Sequence, residues 1–113
     1  MREEYHHLVY SSTHMKEVVI EGTLWKYQGT AAWYFLSTTK AQGVQIKAQE
    51  KRRLGWGSVP VRATIGTSTW DTSIFPSKEG PYLLPIKAAV RKAEALEEGV
   101  QVTARCVLRS RTV

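Results

Sequence analysis

Arg62, Thr64, Asp71 and Ser73 are the residues whose types and spacing best suit chemistry. They sit in the run LGWGSVPVRATIGTSTWDTSIFPSKEG, from Leu54 to Gly80, at the two-residue spacing that puts them on one face of a strand pair. Trp56 and Trp70 are close in sequence and Tyr82 follows. Polar groups beside aromatic walls are the mix that lines a ligand pocket. The plainer reading is an Arg62–Asp71 cross-strand pair on an exposed sheet face.

A second set is Lys87 and Arg91. A helix beginning at Pro85 carries Lys87 in its first turn, with Arg91 one turn on and on the same flank. Amides at a helix start with two cations suit an anion. These charges oppose the helix dipole, as do Glu94, Glu97 and Glu98 at the other end. Pairing at three- and four-residue spacing, or plain solvation, is the competing reading.

Other residues invite chemistry less strongly. Trp25, Tyr27, Trp33 and Tyr34 have the rings that stack bases, but aromatics at strand spacing more often fill a core, and core is the expectation. His6, His7 and His14 lie in a polar tail without fixed geometry, so no metal site is expected. Lys51-Arg52-Arg53 suits a helix C-terminus better than a phosphate patch. Cys106 alternates with polar residues and reads as a small buried hydrophobe. The glycines of GWGSVPVRATIG have the wrong spacing for a phosphate loop and lead into a strand. No catalytic residue and no cofactor is expected.

The elements that position these residues follow from periodicity. Val59, Val61, Ala63 and Ile65 form the buried face of one strand; Trp70, Thr72 and Ile74 form that of the next. Gly66-Thr67-Ser68 turns between them. Pro60 cannot donate to a ladder and points to an edge strand or to a strand that starts irregularly there. Upstream, Glu17 to Tyr27 reads as a strand with apolar residues on both faces, and Ala31 to Leu36 as another. Ser37-Thr38-Thr39 can cap a helix from Thr38 to Arg53, with Ala41, Val44 and Ala48 inward and Ile46 off that face. Downstream, Tyr82 to Leu84 is a short strand. Pro85 opens a helix with the stripe Ile86, Ala89, Val90, Ala93 and Leu96, ended by Gly99. Val100, Val102, Ala104, Cys106 and Leu108 alternate through a last strand. Six candidate strands and two helices make the chain mainly β.

At 113 residues, one domain is expected over residues 16–113, after a flexible N-terminal arm at 1–15. No apolar run approaches the ~20 residues of a membrane helix. The polar N-terminus lacks a signal-peptide pattern, and the single cysteine excludes an intrachain disulfide; a cytoplasmic location is expected. The net charge of +6 favours anionic partners.

The run GWGSVPVRATIGTSTWDTSIFPSKEGPYLLPIKAAVRKAEALEEG, with a weaker match back through GTLWKYQGTAAWYFL, resembles the domain of unknown function 1905 family. The resemblance covers most of the chain after Met15. The GWG run, the IG turn, a tryptophan four residues later, SIFP and LPIKAAVRKAE occur in order with the right gaps. Members tend to have Leu-Pro near Ser37-Thr38 and an acid where Val100 stands. The resemblance implies a small six-stranded pseudo-barrel of the double-split β-barrel type with two short capping helices. That barrel is similar to the one built from two swapped hairpins in bacterial transition-state regulators and antitoxins, which bind DNA as dimers. No functional residue carries over.

The expected function is a non-enzymatic binding module for an anionic ligand or partner. Ligand-binding candidates are Arg62, Asp71, Ser73, Trp56, Trp70 and Tyr82; anion-binding candidates are Lys87 and Arg91. A nucleic-acid (DNA) binding protein is the alternative, and an uncharacterised enzyme the third reading. Six strands in one chain point to a monomer.

Overall fold

The computed structural model describes residues 17–29, 31–49 and 57–109. Along the chain lie β1 (Glu17–Thr23), β2 (Trp25–Lys26), β3 (Tyr34–Ser37), α1 (Lys40–Gln49), β4 (Val59–Ile65), β5 (Ser68–Pro76), β6 (Tyr82–Pro85), α2 (Ala88–Ala93) and β7 (Gln101–Leu108). The strands form one antiparallel sheet in the order β1-β7-β4-β5-β6-β3-β2. Its first and last strands are halves of one segment, broken at Leu24. There the Leu24 N–H donates to the Val100 carbonyl and the Leu24 carbonyl accepts from the Gly99 N–H, both at 2.9 Å. Before Leu24 the segment pairs with β7; after it, with β3. One bent segment thus brings the two ends of the sheet together into a nearly closed barrel. This break also explains why six expected strands become seven.

The core follows the two-residue period. Val59, Val61, Ala63 and Ile65 of β4 and Val102, Ala104, Cys106 and Leu108 of β7 are all buried, with Trp70, Ile74, Ile20, Leu36 and Leu84. Gly66, at φ 59, takes the turn position where positive φ is required, so β4 and β5 close with two residues. The cross-strand row Val18–Cys106–Ala63–Trp70 sets two small side chains next to the buried indole of Trp70.

Several expectations change. Only one face of β1 is buried, since Val19 is 41% exposed. Pro60 lies in a central strand rather than at an edge, at the irregular start that proline imposes. The Arg109 N–H donates to its carbonyl at 2.9 Å, the return bond is impossible for proline, and the β4–β7 ladder stops there. In α1 the inward residue is Ile46, while Val44 is 68% exposed. Thr39 and Gln42 form a reciprocal capping box, each backbone N–H bonded to the other's side chain at 3.0 Å. With the start set there, Gly43 faces Gly80 so closely that a Cβ would strike the Gly80 carbonyl. Gly43 lowers helix propensity, yet it is what lets α1 lie on the loop before β6.

Pro85 belongs to β6, and α2 covers only Ala88–Ala93. Val90 is buried and Leu96 partly so, but Ala89 and Ala93 are exposed. Lys87 is the N-cap, and the helix ends at Glu94, well before Gly99. Ala95, at φ 55, turns the chain away. The arm at 1–15 with its histidines, the basic run Lys51-Arg52-Arg53 and Trp56 lie outside the described residues. Among the described residues no helix is long and apolar enough to cross a membrane.

Candidate functional site

The sheet splits along β5. Strand β4 pairs with it from Ser68 to Ile74, but β6 pairs only with Phe75 and Pro76. Beyond that point β6 leaves β5, runs through Pro85 and becomes α2. The β4–β5 register turns the backbone groups of Thr69 and Asp71 away from β4, where no strand of the described residues pairs with them. The far end of the split is pinned by Glu94. Its carboxylate accepts from the Ser68 hydroxyl at 2.6 Å and the Thr67 hydroxyl at 3.4 Å. Glu94 thus opposes the α2 dipole for a structural reason: it ties the helix end to the hairpin turn. Glu97 and Glu98 lie beyond the helix.

Between these seams lies an open cleft of about 450 Å³. Trp33, Tyr34, Trp70, Phe75, Pro85 and Ile86 supply its apolar walls; Asp71, Lys87 and Arg91 are its charged residues. Arg91 is held in place by its own neighbours. Its Nε–H donates to the Ile86 carbonyl at 3.1 Å, and its guanidinium lies 3.8 Å from the Tyr34 ring centroid. Its Nη groups have no partner among the described residues. A guanidinium fixed at one edge with both Nη groups unpaired suits bidentate recognition of a carboxylate or phosphate. Lys87 is exposed.

Asp71 is the one carboxylate among the lining residues, and two guanidiniums offset it. Arg62 donates from Nε at 2.8 Å and from Nη2 at 3.2 Å, and Arg109 Nη1 stands at 3.3 Å. The Arg62 bond is the main reason the Asp71 carboxyl is held below the usual range; desolvation pushes the other way, and the Arg109 and Arg62 charges add to the lowering. Arg62 is raised in turn.

The two candidate sets are therefore partly joined. Trp70 and Asp71 from the hairpin meet Lys87 and Arg91 at one cleft. Arg62 is the cross-strand partner of Asp71 and does not itself line the cleft. Ser73 lies opposite Pro60 and is not a lining residue. Tyr82 is a core residue, 4% exposed, its phenol pushed up by burial. Its backbone is bound by Thr38, whose N–H donates to the Tyr82 carbonyl at 2.9 Å and whose hydroxyl accepts the Tyr82 N–H at 2.8 Å. The Cys106 thiol is wholly buried and pushed up to about 12, first by burial and then by the Glu17 charge.

The aromatic residues depart most from expectation. Tyr27 and Trp33 are each 51% exposed and Trp25 is half-buried, so these three lie outside the core, whereas the half-buried Tyr34 packs against it. Trp25 faces Phe35 across β2–β3, and Phe35 faces Pro85 across β3–β6. The Trp33 and Phe35 rings are nearly parallel, 11° apart with centroids at 5.9 Å. Phe75, at 43% exposure, faces the cleft from β5. Sequence reasoning missed Phe75 and Pro85 as cleft residues; the SIFP and LP runs carried the only signal, as strand ends.

The family model for a domain of unknown function, DUF1905, matches residues 21–105. No curated protein matches the chain.

Proposed function

The chain belongs to the DUF1905 family, and from that premise we propose that it is a non-enzymatic, monomeric binding module whose cleft along β5 takes an anionic ligand. The observation that carries the reading is Arg91, stacked on Tyr34 and bonded through Nε, with Lys87 beside it and apolar walls around both. The apolar walls exclude water from the ligand, and the guanidinium supplies a charge-assisted bond whose ordering cost is already met. The monomer reading rests on the bend at Leu24, which closes the sheet within one chain. The single cysteine supports a reducing, cytoplasmic setting.

The test is thermal unfolding in phosphate or sulfate at constant ionic strength, for the parent and for Lys87→Ala with Arg91→Ala. The parent is expected to gain several degrees as the anion exceeds its dissociation constant; the double variant is expected to gain little. The anion-dependent increment is the readout, because loss of the Arg91 stack lowers the starting temperature. Equal increments would show that the anion does not bind at this cleft.

A further inference from the structure

We infer that the ligand is single-stranded nucleic acid, with bases stacked on Trp33 and Phe75 at the cleft and phosphates held at Lys87 and Arg91. The inference rests on the anion reading above and adds the partner. Trp33 and Phe75 stand at the cleft, with rings about half exposed. Trp33 is also stacked on Phe35, which holds its ring in place at the edge of the cleft. Cations share the cleft with these rings: Lys87 and Arg91 line it beside Trp33 and Phe75, and the Arg91 guanidinium lies 3.8 Å from the Tyr34 ring centroid. Rings and cations side by side in one cleft match the bases and phosphates of one strand. Asp71, the one carboxylate among the lining residues, is neutralised by its arginines.

Charge and shape separate this partner from others. A second copy would set one chain of net charge +6 against another. A closed duplex keeps its bases stacked on each other and offers no face to Trp33.

The experiment is fluorescence anisotropy of a labelled ten-residue oligo(dT) at several salt concentrations, with the duplex, dTMP and inorganic polyphosphate as competitors. Oligo(dT) is expected to bind, to quench tryptophan and to outcompete the other three. Trp33→Ala and Phe75→Ala are exposed changes that spare the fold, and each is expected to weaken oligo(dT) by about 5- to 100-fold. Lys87→Ala is expected to reduce the slope of log affinity against log salt by about 0.7. Unaltered affinity in both aromatic variants would overturn the inference. So would duplex, dTMP or polyphosphate binding as tightly as oligo(dT). Phosphate stabilisation without oligo(dT) binding overturns the nucleic-acid inference and leaves the anion cleft standing; neither effect overturns both. A dimer in sedimentation with Trp33 shielded from quencher would assign the aromatic face to a second copy and overturn it as well.

Discussion

Above about pH 8.5 the thiol of Cys106 begins to work against the fold. The side chain is wholly buried on β7, with Val18 and Ala63 as its cross-strand neighbours. Burial first, and the Glu17 charge second, push its pKa up to about 12. In the unfolded chain the thiol titrates near the ordinary value, about 8.5. The folded state therefore holds the proton more tightly. Its contribution is fully present below about pH 8.5 and is lost as pH rises toward about 12. Over that window the unfolded state releases one proton that the folded state keeps, a slope of about 1.4 kcal/mol per pH unit. By pH 10.5 the loss is roughly 2–3 kcal/mol, a large share of the ~5–15 kcal/mol typical of a small domain. Urea unfolding under reducing conditions, from pH 7.5 to 10.5, measures it. Tyrosines and lysines titrate in the same range, so the quantity to follow is the difference between the parent and Cys106→Ala. That difference is expected to move by roughly 2–3 kcal/mol in favour of the alanine variant as pH rises. A difference independent of pH would refute the reasoning, as would rapid labelling of the native thiol by a bulky reagent.

Thr38→Val keeps the shape but leaves the buried Tyr82 N–H without its acceptor. A loss of about 1–3 kcal/mol is expected in denaturant unfolding, with Thr38→Ser much milder. Gly43→Ala places a better helix former in α1, yet its Cβ meets the Gly80 carbonyl. A lower melting temperature is expected, and a rise would contradict the described contact. Glu94→Ala releases the hairpin turn from α2. Hydrogen exchange of the Thr67 and Ser68 amides is expected to quicken, with a stability loss of about 1 kcal/mol.

What the sequence determined by itself is sidedness. In β4 and β7 every second residue is apolar, and all of those from Val59 to Ile65 and from Val102 to Leu108 are buried. The Gly66 turn follows in the same way, and so does the Arg62–Asp71 pair, because its partners lie nine residues apart across one tight turn. Such features need only local geometry. Tertiary structure decided what depends on distant segments. The single segment from Glu17 to Lys26 serves both ends of the sheet because loops at Gly99 and Val100 bond Leu24. Ile46 rather than Val44 faces inward because the backbone of Gly80 sits against Gly43. Trp25 and Phe35 lie outside the core because they share the face of β2 and β3 opposite to Leu36, while Tyr34 packs against the core from the inner face. The cleft exists because β6 pairs with two residues of β5 and then departs, which brings Lys87 and Arg91 beside Trp70 and Trp33. Side-chain period records which face of a strand is apolar; it does not record which strand lies alongside, or where two strands part.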